Sequence, residues 1–464
     1  MSEREQSEAA EQPSPVERFG VQPVLVRQVE AALHEDAGPR ALEILIEPLH
    51  AADLADLIGQ LPRELRYRLI ETMGRRLDPE ALIDLDEAVL ADALESMAPS
   101  DIAAAVERLD TDDAVYLLEN VPEARREAVL AQIPAPDRAA VLEGLTYPEE
   151  SAGRLMQRDL VAVPAYWTVG QVIDYLREAP DLPDEFYEIY IIDPRHRPVG
   201  HVPLYRAMRA KRPTMMRDLV DEETRIIPVD MDQEEVARLF QQYRMTSAPV
   251  VDDAGRLVGV ITFDDAVEVL EEEVEEDMLR LAGVEEGDLN ERALRTVVRR
   301  TRWLLVTLFN TVVASYVISR FEAAIEEIVA LAILMPIVAA MGGNAGMQVV
   351  AVMVRALATR ELTSSNAARV VGKEFAVGLV NGVVFAAIMG GIAAAWFASP
   401  PLGLVLAGAM VFNMAWAGFA GTMVPLLLQR VGLDPAIAAG PFLTTTTDVL
   451  GFFSFLGLAT LFLL

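Results

Sequence analysis

Residues 336–352, PIVAAMGGNAGMQVVAV, lie within an apolar run long enough to cross a membrane, although they include one proline, three glycines, one asparagine and one glutamine. Lipid supplies no hydrogen-bond partner, so helix breakers and amides persist at that depth only where they are buried in protein or line a water-filled cavity. The glycines alone are equally compatible with close helix packing. On a helix, Asn344 and Gln348 would share one face and present carbonyl oxygens suited to a hydrated cation. The stretch therefore predicts a membrane segment that packs closely or forms part of an ion pathway.

The same part of the chain contains enough apolar sequence for five membrane spans. A span needs about 20 apolar residues, and basic residues cluster before the first span, between the second and third, and between the fourth and fifth. Because basic loops stay cytoplasmic, the residues before the spans are predicted to lie in the cytoplasm, with the C-terminus outside an inner (plasma) membrane. The five segments are 303–319, 328–354, 375–398, 402–428 and 441–464.

The fifth segment contains a single acidic residue, Asp448, preceded by four threonines. A carboxylate at membrane depth is costly unless it is paired or hydrated, and it usually marks an ion or proton pathway. The spans offer no lysine or histidine as a partner. The structural alternative is a protonated aspartate that donates one hydrogen bond between helices. A cation in an aqueous pore is the favoured interpretation.

Charge divides the chain into two very different parts. The 464 residues have a net charge of −32, and 52% of them are hydrophobic. Residues 303–464 contain six basic and seven acidic residues, a net charge of −1, so −31 falls on residues 1–302. Such acidity disfavours nucleic acid as a partner and favours cations. The absence of cysteine excludes disulfides and thiolate metal sites. The first twenty residues lack the apolar core of a signal peptide, and residues 1–22 are predicted to be a disordered tail.

Two internal repeats organise the acidic part. From about residue 97, units of near twelve residues open with Pro, Ser or Asp and continue with apolar residues at helical spacing, which predicts short stacked helices. Further on, YIIDPRHRPVGHVPLYRAM aligns with PVVDDAGRLVGVITFDDAV, so that Asp193 matches Asp252 and Gly200 matches Gly259. Each copy is expected to form a strand, a tight turn, a strand and a helix.

Residues 264–284 combine an apolar stripe with an almost wholly acidic face, in which Glu268, Glu272 and Glu276 are spaced four apart. A solvated acidic face is the usual interpretation of such a run. Because this helix directly precedes the first span, a force that moves it would also act on the membrane part.

Three motifs together resemble the MgtE family of magnesium channels and transporters: MPIVAAMGGNAGMQ in the second span, GLDPAIAAGPF before the fifth and TTDVLGFFSFLGLA within it. The resemblance covers nearly the whole chain and implies a multidomain membrane protein that forms a homodimer with a Mg²⁺ pore on the dimer axis. The implied domains are an all-α superhelical domain (23–148), an α/β tandem CBS pair (149–272), a connecting or plug helix (273–301) and a five-helix pore domain (302–464).

The resemblance also implies functional residues. The implied pore residues are Asp448, Asn344, Gly343, Gly346, Gln348, Thr444 and, near the pore entrance, Asp434. The implied regulatory ion contacts are Glu80, Asp112, Asp113, Asp232, Glu234, Asp265, Glu268, Glu273, Glu276 and Asp277. One acidic position of the family is Arg244 here, where we expect a local salt bridge in place of an ion.

A nucleotide site is the remaining implication of the resemblance. The second CBS copy keeps the signature GVITFDD, in which Thr262 and Asp265 would contact ATP, whereas the first copy has Pro203 and Arg206 at those places. The alternative is a purely structural CBS pair.

These features predict a Mg²⁺ channel that passes the ion into the cytoplasm and is closed by cytosolic Mg²⁺ on acidic surfaces. Mg²⁺ keeps several waters and needs only one or two carboxylates, and a membrane potential is worth about 2.3 kcal/mol per charge per 100 mV, so passive entry suffices. Three alternatives remain: a broader Co²⁺ or Mn²⁺ transporter, a membrane-anchored metal sensor that transports nothing, and a CBS-bearing anion channel. Enzyme activity is not expected, because the chain lacks a phosphate loop, a nucleophile motif and a metal-binding histidine pair.

Overall fold

The computed structural model describes residues 20–36, 38–179, 182–183, 186–221, 223–284, 293–362 and 365–464. Most of the predicted disordered tail, residues 1–19, lies outside this range. The chain divides into two compact units, Met1–Glu271 and Glu272–Leu464, which are described separately.

The first unit begins with ten short helices around one apolar core of Leu, Val, Ile and Ala side chains. Several helices start at a proline, where the missing N–H removes no hydrogen bond. Arginines satisfy the free carbonyls at helix ends: Arg66 bonds Ile58 O at 3.0 Å, and Arg126 bonds Glu119 O at 2.9 Å. The helices are α1 (Pro23–His34), α2 (Pro39–Ile46), α3 (Ala51–Gln60), α4 (Arg63–Met73), α5 (Glu80–Ile83), α6 (Glu87–Ser96), α7 (Pro99–Val106), α8 (Thr111–Glu119), α9 (Glu123–Leu130) and α10 (Ala135–Gly144).

Two repeats of strands and helices follow, each built on a three-stranded sheet with one parallel and one antiparallel pairing. After α11 (Ala152–Leu155), the first repeat contains β1 (Ala162–Pro164), α12 (Val169–Glu178), β2 (Glu188–Ile192), β3 (Pro198–Pro203) and α13 (Leu204–Arg209). The second contains β4 (Ile227–Pro228), α14 (Gln233–Tyr243), β5 (Ser247–Val251), β6 (Leu257–Thr262) and α15 (Phe263–Leu281).

The predicted alignment of the two repeats is confirmed by strand register. Gly200 pairs with Ile191, and Gly259 pairs with Val250 at the equivalent place. A β-carbon on Gly200 would lie 2.7 Å from Asp221 O, and one on Gly259 would lie 2.8 Å from Gln157 O. Each glycine is therefore required because another segment crosses its strand.

The second unit contains five helices that are long and apolar enough to span a membrane, as predicted. In α20, 61% of the residues in the most apolar stretch are buried, against 6% in α16, so α20 is the central helix of the bundle. The helices are α16 (Ala293–Ser319), α18 (Ala330–Ala358), α19 (Ala367–Trp396), α20 (Pro400–Arg430) and α21 (Pro435–Phe462), with the short α17 (Glu322–Glu327) after the first.

The connecting helix differs from the predicted range of 273–301. Helix α15 begins at Phe263 and ends at Leu281, close to Gly283, whose φ of +71° favours glycine and ends the helix. Residues 285–292 lie outside the described range, and residues 293–301 already belong to α16. The acidic helix and the first membrane helix are thus separate elements in the described residues.

Candidate ion pathway and acidic clusters

Helix α18 is continuous from Ala330 to Ala358, although Pro336 lies inside it. Pro336 and the three glycines, which are helix breakers in the sequence, do not interrupt the helix. The proline removes one N–H donor, near the start of the helix, and the glycines keep helical backbone. Residues 336–352 therefore form part of a regular helix, and they contribute to the site through their side chains and through helix packing.

The glycines of α18 have different surroundings. A β-carbon on Gly342 would lie 2.2 Å from Nδ2 of Asn413, and one on Gly346 would lie 2.6 Å from Cδ2 of Leu443, so close helix packing accounts for both. A β-carbon on Gly343 would lie 3.9 Å from Cγ2 of Thr444. Two predicted pore residues, Gly343 and Thr444, are thus brought together between α18 and α21. An ion contact of Gly346 stays a prediction.

Asn344 and Gln348 lie on one face of α18, and both side chains are exposed in the single chain. Gly342, Gly346 and Val350 occupy the opposite, buried face. The predicted pairing of the two amides on one helical face is therefore present. Because lipid cannot bond an amide, this exposed face needs either water or another protein surface.

Asp448 is partly buried on α21 and makes no hydrogen bond or ion pair with any described residue. The threonines before it bond the backbone of their own helix: Thr444 Oγ1 donates to Gly440 O at 2.8 Å, and Thr447 Oγ1 to Leu443 O at 3.1 Å. These hydroxyls are therefore occupied by the helix backbone and do not bond the carboxylate.

Asp434 caps the N-terminus of α21 by accepting a 2.7 Å hydrogen bond from Ala436 N. Its other oxygen lies 2.9 Å from the guanidinium of Arg280, and Arg280 also pairs with Glu276. Burial and the nearby charges of Asp434 and Glu273 raise the pKa of Asp277 to about 6. We call this group, Glu273, Glu276, Asp277, Arg280 and Asp434, the α15–α21 cluster. Sequence analysis missed Arg280, because a lone arginine near the end of an acidic helix has no distinguishing pattern.

A second cluster lies within the first unit, where the start of α8 faces the start of α15. Burial, followed by the charge of Asp265, raises the pKa of Asp112 well above its usual value, and the same causes raise the pKa of Asp113 to about 7. Loss of solvent likewise raises the pKa values of Asp265 and Glu268. We call this group the α8–α15 cluster; it contains Glu80, Asp84, Asp110, Asp112, Asp113, Asp265 and Glu268.

Five residues of the α8–α15 cluster were predicted, and two were missed. Asp84 follows α5 and Asp110 precedes α8, so both occupy turns where an aspartate is ordinarily explained by capping. Within the described residues, no three Asp, Glu or His side chains converge closely enough to hold a metal ion directly.

The remaining predicted residues have local roles. Asp232 caps α14 by accepting from Glu234 N at 3.0 Å, and both side chains are exposed. Thr262 Oγ1 donates to Asp265 Oδ2 at 2.5 Å, so these two nucleotide candidates bond each other. Arg244 ends α14 with a left-handed φ of 53°. The salt bridge expected for Arg244 is not formed with any described residue.

Three family models match the chain. The MgtE model, described as a divalent cation transporter, matches residues 335–458. The MgtE intracellular N domain matches residues 49–150, and the CBS domain matches residues 215–272, which is the second repeat.

Two curated relatives and one solved structure are similar to parts of the chain. The chain is 36% identical over 318 residues to the magnesium transporter MgtE of Thermus thermophilus and 33% identical over 318 residues to that of Bacillus subtilis, in each case covering 68% of this chain and 70% of the relative. The crystal structure of the cytosolic domain of the Mg²⁺ channel MgtE in complex with ATP is 33% identical, with a TM-score of 0.49, and covers 53% of this chain and 99% of that one.

Proposed function

Because the chain belongs to the MgtE family of divalent cation transporters, we propose that it is a membrane channel that passes Mg²⁺ passively into the cytoplasm and closes when cytosolic Mg²⁺ rises. The acidic unit lies in the cytoplasm and the C-terminus outside. Membership of a transporter family disfavours the non-transporting sensor, the anion channel and an enzyme.

The observation that carries the proposal is the unpaired Asp448 at membrane depth. A carboxylate in this position is stabilised by a cation or by water, and Mg²⁺ takes carboxylate oxygens while keeping several of its waters. Thr444, one turn earlier on α21, contacts the position of Gly343 on α18. The pathway is therefore proposed between α18 and α21, with Asp448 as its main ligand and Asn344, Gln348 and the backbone near Gly343 and Gly346 as water-mediated contacts.

A homodimer accounts for the exposed amides of α18. Asn344 and Gln348 would be costly in contact with lipid, whereas a second copy across a two-fold axis would enclose them in an aqueous path. The same axis would place two Asp448 carboxylates around one ion. Each chain of the dimer would therefore supply half of the pore site.

The two acidic clusters support control by Mg²⁺. Neighbouring carboxylates that raise one another's pKa also repel one another when they are ionised. A cation bound between them offsets this repulsion. A ligand that prefers the compact arrangement stabilises it by mass action. Mg²⁺ at the α8–α15 cluster would hold the first unit compact, and Mg²⁺ at the α15–α21 cluster, where Asp434 lies, would hold the end of α15 against the start of α21. Asp232 and Glu234 remain proposed contacts of the same kind.

Two narrower points follow from the comparisons. The family description as a divalent cation transporter favours Co²⁺ and Mn²⁺ as additional substrates, which competition with Mg²⁺ uptake would test.

The relative solved with ATP supports nucleotide binding at Thr262 and Asp265. ATP binding that is lost in Thr262→Val would support this site.

The direct test of transport is Mg²⁺ uptake into liposomes that contain an internal Mg²⁺ dye. We expect uptake by the full chain to exceed that of empty vesicles and to be abolished by Asp448→Ala, because the variant loses the carboxylate while keeping good helix propensity. Asp448→Glu should retain part of the rate. Normal uptake by Asp448→Ala in folded, dimeric protein would contradict the assignment of the pore.

A further inference from the structure

Asn413 is a fully buried amide in the centre of the membrane unit. It lies on α20 with no exposed surface, and its Nδ2 donates to Val338 O on α18 at 2.9 Å. Its Oδ1 is buried and has no hydrogen-bond partner among the described residues. A buried acceptor without a donor is destabilising, so the amide carries a cost in stability at this position.

Two glycines from two different helices contact this one amide. A β-carbon on Gly342 of α18 would lie 2.2 Å from Nδ2 of Asn413, and a β-carbon on Gly451 of α21 would lie 2.8 Å from the same atom. Real side chains do not approach so closely, so each helix lies against the amide only because it presents a glycine. Asn413 is thus the spacer at which α18, α20 and α21 meet.

On both α18 and α21, the glycine that contacts Asn413 lies close in sequence to residues of the proposed pathway. Gly342 immediately precedes Gly343 and Asn344 on α18, and Gly451 follows Asp448 by three residues, less than one helical turn. A change in the separation or rotation of these helices at Asn413 would therefore shift Asp448 relative to α18. Asn413 itself is enclosed by protein and has no access to an ion.

We propose that Asn413 is a positioning residue for Mg²⁺ selectivity: its amide sets the distance and rotation between α18 and α21, and thereby the placement of Asp448. This inference rests on the proposed function. Asn413→Leu loses the hydrogen bond to Val338 O but also removes the unpaired buried Oδ1, and these two effects on stability oppose each other. A positioning role therefore predicts that transport changes more than stability.

The test compares Asn413→Leu and Asn413→Ala with a control, Thr422→Val. Thr422 is also fully buried on α20, but its hydroxyl bonds only its own helix, at Phe419 O (2.8 Å) and Gly418 O (3.2 Å). We expect Asn413→Leu to keep the melting temperature of the parent while the half-saturating Mg²⁺ concentration or the ratio of Mg²⁺ to Co²⁺ uptake shifts about tenfold. Thr422→Val should match the parent in both respects. Parent-like affinity and selectivity in both Asn413 variants would overturn the inference.

A compensation experiment keeps the inference testable if Asn413→Leu does not fold. Gly342→Ala should impair uptake because its methyl group meets the amide, and Gly342→Ala combined with Asn413→Ala should recover much of the loss because the methyl group enters the vacated space. If the loss of Mg²⁺ uptake in the double variant equals the sum of the losses in the two single variants, the spacer role is contradicted.

A measurement without transport separates this inference from the proposed function. The chain has no native cysteine, so Gly343→Cys with Thr444→Cys gives a single pair for a short thiol crosslinker between α18 and α21. We expect the crosslinking yield to change with Asn413→Ala and to be unaffected by Thr422→Val. If the parent fails to take up Mg²⁺, the proposed function is refuted, and an unchanged yield in Asn413→Ala would separately refute the positioning role.

Discussion

At the scale of single residues, the protonation state of the acidic side chains depends on two opposing effects. Burial among other carboxylates favours the neutral form, and a nearby cation favours the ionised form. Burial and neighbouring carboxylates raise the pKa of Asp113 to about 7, so this group keeps its proton to a much higher pH than an ordinary aspartate. A cation beside it favours the ionised form. Protons and the Mg²⁺ of the proposed function would therefore compete for the α8–α15 cluster.

This competition predicts a pH dependence of stability. A carboxyl with a raised pKa in the folded protein binds more protons than in the unfolded chain, so the free energy of unfolding falls as pH rises from about 4, the unfolded value, to about 7. In Mg²⁺-free buffer the melting transition of the first unit should move to lower temperature over this range. Added Mg²⁺ should stabilise it more at about pH 8 than at about pH 5.

Asp113→Asn provides the matched control for the pH prediction. The variant removes the raised carboxyl, so calorimetry should show a weaker dependence on pH and a smaller stabilisation by Mg²⁺. Identical pH and Mg²⁺ responses in the parent and the variant would show that Asp113 does not take part in ion sensing.

The residues also show where prediction from the sequence ends. Asp448, Asn344 and Gln348 stand out because polar groups in apolar spans are rare. Asn413 and Arg280 do not stand out, because their roles depend on Gly342, Gly451 and Asp434, which lie far from them in the sequence. Long-range contacts of this kind leave no local periodicity.

At the scale of elements, helix α15 joins residues of both acidic clusters. Asp265 and Glu268 lie in its first two turns, and Glu276 and Arg280 lie near its end. The spans, the strand repeats and the acidic helix could be predicted because length, period and charge are local properties of the sequence. The acidic pattern at 264–284 also lies close to the observed Phe263–Leu281, whereas the connecting helix at 273–301 rested on the family resemblance and on no local pattern.

Arg280 is predicted to hold the end of α15 to the start of α21 in the absence of Mg²⁺. It pairs with Asp434 at 2.9 Å, so Arg280→Gln should weaken this contact and raise Mg²⁺ uptake at low cytosolic Mg²⁺. The same variant frees the carboxylates of the α15–α21 cluster, so closure should depend more strongly on Mg²⁺.

Arg212→Gln is the control for Arg280→Gln, because it breaks a surface ion pair with Asp174 (2.5 Å) in the first repeat. Its uptake should match that of the parent at every Mg²⁺ concentration. Parent-like uptake in Arg280→Gln at low cytosolic Mg²⁺ would show that this ion pair has no part in gating.

At the scale of the whole molecule, the net charge is distributed unevenly along the chain. The first 302 residues contain nearly all of the net negative charge, and the membrane part is almost neutral. In the proposed function, this division would let the transported ion act also as the signal that stops transport. The sequence predicts this division well, because net charge and hydropathy need no knowledge of tertiary contacts.

The most direct test of the account is Mg²⁺ uptake measured against the Mg²⁺ concentration on the side of the acidic unit. We predict that the parent closes as this concentration rises, whereas a variant with Glu273→Gln, Glu276→Gln and Asp277→Asn continues to conduct, because the ion has lost its preference for the closed state. Loss of repulsion in the variant acts in the opposite direction, and we expect loss of ion binding to dominate. Equal closure of parent and variant over the same Mg²⁺ range would contradict the account.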